Sequence, residues 1–134
     1  MQPSTLVSTK TVLFIDDETE SRQYWLGELK RVSPDYTILE AVDGQSGLHI
    51  CRNEKVDCVV LDLDLPDTSG FEILLSIRDD RNLRQIPVVV LTRIPSPVIH
   101  DLTRENGAKT CLSKRHTSAF TLADAVKRAM DDGG

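Results

Sequence analysis

Five groups able to bind an ion or take part in group transfer follow short apolar runs in this chain. Thr11-Val12-Leu13-Phe14-Ile15 stops at Asp16-Asp17, Val59-Val60-Leu61 at Asp62, and Pro87-Val88-Val89-Val90-Leu91 at Thr92, while Thr110-Cys111-Leu112 leads through Ser113 into Lys114. Apolar runs of this length bounded by turn formers read as buried strands. The carboxyl ends of strands in an open α/β sheet face the crevice where such sheets bind ligands. Carboxylates crowded there repel one another and raise at least one pKa unless a cation lies between them. An all-oxygen set with open positions suits Mg²⁺, which keeps several of its waters. A lysine and a hydroxyl on the far side suit an anion brought to that metal. The set therefore describes a carboxylate nucleophile, a divalent cation, an ammonium clamp and a hydroxyl donor.

The elements that must position these groups alternate along the chain. Glu18 to Val32 carries Arg22, Trp25, Leu26, Leu29 and Val32 at helical spacing, and Gly27 weakens that helix by roughly 1 kcal/mol. Tyr36 to Glu40 reads as a second strand, Gln45 to Asn53 as a helix, and Asp57 to Leu61 as the third strand. Phe71 to Arg78 places Ile73, Leu74 and Ile77 on one helical face; Pro95 and Pro97 bracket a loop before a short helix from Val98 to Glu105. Asn106-Gly107 is the left-handed stop expected there. Thr117 or Ser118 caps a last helix whose inward stripe is Ala119, Leu122, Ala123, Val126, Ala129 and Met130, with Phe120 off that stripe. Apolar strands alternating with helices predict an α/β fold: a doubly wound parallel sheet of five strands with five helices on its faces.

Composition narrows the class of function. At 134 residues one core suffices without metal or disulfide staples. Residues 1–9 read as a leader, 10–131 as the domain and 132–134 as a tail. A net charge of −5 argues against a nucleic-acid surface or an anionic-membrane binder. Cys51, Cys58 and Cys111 lack metal or redox spacing and read as reduced, buried thiols. No apolar run approaches a membrane span, so a cytoplasmic location is expected. His49, His100 and His116 are scattered without ligand spacing.

The set Asp16-Asp17, Asp62, Thr92 and Lys114 resembles the receiver domain of two-component response regulators. Phe14-Ile15-Asp16-Asp17-Glu18, Glu40-Ala41-Val42-Asp43-Gly44, Leu61-Asp62-Leu63-Asp64-Leu65-Pro66-Asp67-Thr68-Ser69-Gly70, Pro87 to Thr92 and Gly107-Ala108 carry the likeness, which covers Thr11 to Met130. The resemblance implies the flavodoxin-like strand order 2-1-3-4-5. It implies a signalling phosphoacceptor rather than an enzyme with a turned-over substrate. Asp62 would accept a phosphoryl group from a histidine kinase or phosphotransfer protein. Asp17 and Asp62 would coordinate Mg²⁺ with Asp16 nearby, and Asp64 would offer its backbone carbonyl. Lys114 would pair with phosphoryl oxygens, and Thr92 would move to bond one of them. The responding surface would be the fourth helix, fifth strand and fifth helix, open to a receiver homodimer or a downstream effector.

Three positions depart from the family pattern. Arg93 stands where a small residue is usual after the threonine, Cys111 replaces the rotating aromatic, and Arg115 replaces the proline after the lysine. A cis bond before Arg115 would cost about 2.5–4 kcal/mol. These departures keep open a receiver-like interaction module that works without phosphate. Asp62-Leu63-Asp64 also resembles the acid pair of haloacid-dehalogenase phosphatases, which place it after their first strand. Asp67-Thr68-Ser69-Gly70 mimics a GTPase motif, but no phosphate-binding GxxxxGK[ST] loop accompanies it.

Overall fold

The computed structural model describes residues 9–93 and 96–132. Its elements are β1 (Thr11–Ile15), α1 (Thr19–Val32), β2 (Thr37–Ala41), α2 (Gly44–Asn53), β3 (Cys58–Leu61), α3 (Gly70–Asp79), β4 (Val88–Thr92), α4 (Pro97–Glu105), β5 (Thr110–Ser113) and α5 (Ala119–Asp132). The five strands form one parallel sheet in the order β2-β1-β3-β4-β5, as the resemblance implied. The expected leader, tail and Pro95 fall wholly or mostly outside the described residues.

Alternation along the central strands builds two cores. Leu13 and Ile15 of β1, Val59 and Leu61 of β3, and Val88 and Val90 of β4 pack with Leu48 of α2 and Ile73, Leu74 and Ile77 of α3. Their neighbours Val12, Phe14, Cys58, Val60, Val89 and Leu91 face Trp25 and Leu29 of α1 and Leu122, Val126 and Ala129 of α5. A strand buried on both faces has no polar side to show, hence the uniform apolar runs. Burying an aliphatic side chain stabilises by about 1.5–3 kcal/mol, so these layers are the fold's main support. All three cysteines are buried and free; burial pushes the Cys51 thiol up to about 11 and that of Cys58 to about 12. No helix among the described residues is long and apolar enough to cross a membrane.

Element ends shift from the sequence expectation by a residue for identifiable reasons. Strand β4 begins at Val88 because Pro87 has no N–H, although its carbonyl still accepts from Val59 N at 3.0 Å. Strand β3 begins at Cys58 because the Asp57 carboxylate turns to accept the Thr11 N–H at 2.8 Å. Strand β2 runs Thr37–Ala41, one residue later than Tyr36 to Glu40. Asp43 caps α2 by accepting from Ser46 N at 2.8 Å, which draws Gly44 into the helix. Ser118, not Thr117, caps α5 through the Thr121 N–H. Gly107, with φ of 115°, ends α4 in the left-handed region as predicted.

Candidate functional site

Backbone bonds carry the sheet past its last strand residues and place the acids. Asp16 N donates to Ala41 O at 3.1 Å and Asp62 N to Ile15 O at 2.9 Å, so β2, β1 and β3 are laced together where the carboxylates begin. The chain after Asp62 is pinned by Gly70 N donating to Leu63 O at 2.8 Å. That approach requires glycine: a Cβ at residue 70 would lie 2.3 Å from the Asp62 carbonyl oxygen and 2.4 Å from Leu63 Cα. Asp67 holds the same loop to α2, accepting from Gly44 N at 2.9 Å and Gln45 N at 3.0 Å. Those helix N–H groups hold its carboxyl below the usual carboxylate range.

The acidic trio is compact. Asp16 and Asp62 are buried, Asp17 is exposed, and one oxygen from each lies within 4.8 Å of the other two. Lys114 reaches in from the end of β5, with Nζ 3.1 Å from Asp16 Oδ2 and 3.4 Å from Asp62 Oδ2. Its backbone N–H donates to Thr92 O at 2.8 Å, which ties the lysine to the end of β4. Asp62 Oδ1 accepts the Asp64 N–H at 3.2 Å. Desolvation raises the Asp62 carboxyl to about 6, against the pull of Lys114 and the Asp64 N–H, with the Asp16 charge adding to the rise. Lys114 contacts two of the three clustered carboxylates, and three ionised acids against one ammonium are an excess of two negative charges. A hard divalent cation matches that deficit and the all-oxygen donor set. The trio therefore fits a receiver-type metal site.

Asp17, Glu18, Asp64, Leu65, Pro66 and Arg93 line the mouth, a hollow of about 320 Å³. Arg93 lies along its rim with Nη1 3.6 Å from Glu18 Oε2. Both side chains are largely exposed, so this ion pair is weak and breakable.

The response regulator receiver domain profile matches residues 12–127, most of the chain. The chain belongs to the response regulator receiver domain family. It is 26% identical over 106 residues to the polar-differentiation response regulator DivK of Brucella ovis, covering 79% of this chain and 85% of that one. The receiver is also similar to chemotaxis protein CheY4 of Vibrio cholerae, with a TM-score of 0.80, 25% identity, and coverage of 91% of this chain and 99% of that structure. A CheY-like receiver from Methanospirillum hungatei shares the fold with a TM-score of 0.82 at 23% identity, over 94% of this chain and 97% of its own.

This is a signalling family rather than one of metabolic enzymes, and membership implies a histidine kinase as the partner class. Asp62-Leu63-Asp64 follows the third strand, not the first, and the phosphatase resemblance is set aside with it. The structure brings Asp16, Asp17, Asp62, Asp64, Thr92, Arg93 and Lys114 to one end of the sheet. Thr92 is fully buried. Cys111 is not at the mouth: it is buried on β5 opposite Val90, within the core beneath α3 and α4. Arg115 is exposed and, with no cis peptide among the described residues, follows Lys114 through a trans bond.

Sequence reasoning missed two supports of the site. Arg22, counted on the helix's inward stripe, is buried as a charge: Nη1 donates to Asp16 O at 3.0 Å and Nε to Glu40 Oε1 at 2.7 Å. An arginine among apolar inward positions was itself the signal, since a buried guanidinium needs acceptors. Ser21, in the first turn of α1, accepts from Lys114 Nζ at 2.6 Å. Its place one turn beyond the Asp16-Asp17 pair was the available hint.

Proposed function

We propose that this receiver takes a phosphoryl group on Asp62 from the phosphohistidine of a histidine kinase or phosphotransfer protein. The supporting observation is Lys114 bridging the buried Asp16 and Asp62 beside the exposed Asp17. An Asp62 carboxylate oxygen attacks phosphorus while the P–N bond of the donor breaks, its electron pair returning to the imidazole. The product is an acyl phosphate. Water later attacks its phosphorus and releases inorganic phosphate, restoring the carboxylate. Asp16, Asp17 and Asp62, with the Asp64 carbonyl, are the residues that would hold Mg²⁺. Bound there, Mg²⁺ would offset the repulsion between the acids and the incoming phosphoryl oxygens. Lys114 supplies a fixed positive charge to the same oxygens, so catalysis is mostly positioning and electrostatics.

The signal leaves through the end of β4. Thr92 bonds a phosphoryl oxygen, and its backbone is coupled to β5 by the Lys114 N–H and by pairing with Ser113. With Cys111 in place of an aromatic, that backbone link is the route to the α4-β5-α5 surface and to an effector or second receiver.

Incubation with acetyl phosphate and Mg²⁺ followed by intact mass measurement tests this reading. One phosphoryl adduct is expected, absent in Asp62→Asn. The same buried cysteine favours a second reading, a module that binds partners without phosphate. Partner binding by a protein that never forms the adduct would establish that alternative.

A further inference from the structure

Lys114 donates to three oxygens, and one of them carries no charge. Ser21 Oγ lies 2.6 Å from Nζ, nearer than Asp16 Oδ2 at 3.1 Å or Asp62 Oδ2 at 3.4 Å. An ammonium has three N–H bonds and no acceptor, so these three oxygens occupy all of it. The lysine side chain is only 9% exposed, which leaves water little part in its solvation.

The two carboxylates attract the ammonium but define its position poorly. Coulomb attraction varies slowly with distance and direction, whereas a hydrogen bond weakens steeply off its axis. Lysine is also a flexible point charge on a four-carbon stem. A hydroxyl held in the first turn of α1 adds a fixed, directional acceptor. Its neutrality matters too, because a third acid here would hold the ammonium against any incoming phosphoryl oxygen.

We propose that Ser21 is a positioning residue for phosphoryl transfer to Asp62. Its hydroxyl and the Asp16 carboxylate fix two N–H bonds of Lys114, so that the third is aimed at Asp62 and at the oxygens of a phosphoryl group arriving there. The proposal rests on Asp62 being the phosphoacceptor. Ser21 stands outside the acidic trio, so its loss acts on the rate and leaves Mg²⁺ affinity alone.

Ser21→Ala and Ser21→Thr test this against the parent protein. With saturating acetyl phosphate and Mg²⁺, Ser21→Ala is expected to phosphorylate roughly tenfold more slowly. Ser21→Thr, which restores a hydroxyl, stays within about twofold of the parent on the same positioning argument. Mg²⁺ affinity by calorimetry is the same in all three. In metal-free, unphosphorylated protein, ¹⁵N relaxation of the Lys114 ammonium reports faster rotation in Ser21→Ala and slow rotation in Ser21→Thr. An unchanged rate or unchanged rotation in Ser21→Ala overturns the role of Ser21 alone. So does a threonine variant that behaves like alanine, or a rate loss matched by lost Mg²⁺ affinity. A parent that forms no adduct on Asp62 overturns the phosphoacceptor reading and the positioning role with it.

Discussion

Removing the Asp62 charge should stabilise this protein when no metal is bound. Desolvation outweighs the attraction of Lys114 and moves the Asp62 carboxyl from an ordinary 3.8 to about 6. The folded state therefore holds this proton more tightly than the unfolded chain does. Between these two values it binds more protons, and stability falls as pH rises. The contribution is fully present below about pH 4 and lost above about pH 6. At about 1.4 kcal/mol per tenfold shift, the ceiling at neutral pH is about 3 kcal/mol. The effective dielectric of a protein interior, well above that of a dry medium, brings the expected figure to roughly 1–2 kcal/mol. Asp62→Asn keeps an oxygen for the Asp64 N–H and carries no charge. In EDTA at pH 7.5 it should melt roughly 3–8 °C above the parent, and the two should converge near pH 4. Added Mg²⁺ narrows the gap, because binding to the native parent stabilises it by mass action and the variant has lost a ligand. Thermal melts across pH 4–8, with EDTA and with Mg²⁺, measure all three. A variant less stable than the parent at pH 7.5 in EDTA, or a difference that does not change with pH, would refute the reasoning.

Gly70→Ala drives a Cβ against backbone atoms of Asp62 and Leu63 that cannot rotate away, and urea unfolding should show a loss of about 2 kcal/mol or more. Arg22→Met leaves the Asp16 carbonyl and Glu40 without their shared donor; a loss of about 1–3 kcal/mol is expected, and Glu40→Gln in the same background should add little. Arg93→Ala opens the rim held by the Arg93–Glu18 pair, so phosphoryl loss from Asp62, followed by mass measurement, should quicken several-fold. High salt should reproduce part of that effect in the parent and none in the variant, since exposed pairs are screened.

The architecture was legible because it is written in local pattern. Val88 to Leu91 admits no half-exposed strand, and Ile73, Leu74 and Ile77 admit one helical face. The acids, Thr92 and Lys114 were legible for a related reason: each directly follows or closes a strand, and parallel strands all end on one side. Element ends were less so. Asp57 and Asp43 choose between strand, turn and cap according to partners many residues away or one turn ahead. Cys111 could be named as a departure from the aromatic, but whether it faced the mouth or the core depended on which neighbours filled β5's two sides.

The amino-acid order by itself determined the layers, the strand-end chemistry and the kinship with receivers, because periodicity and motif spacing are properties of the chain alone. Tertiary structure decided the rest. Lys114 meets Asp16, Ser21 and Asp62 across sequence separations of 98, 93 and 52 residues. Arg22 becomes a buried support and Arg93 a rim clasp only when their acceptors arrive from other elements. Hydrogen bonds and desolvation act over a few ångströms in space, and no pattern along the chain specifies which distant side chains will share that distance.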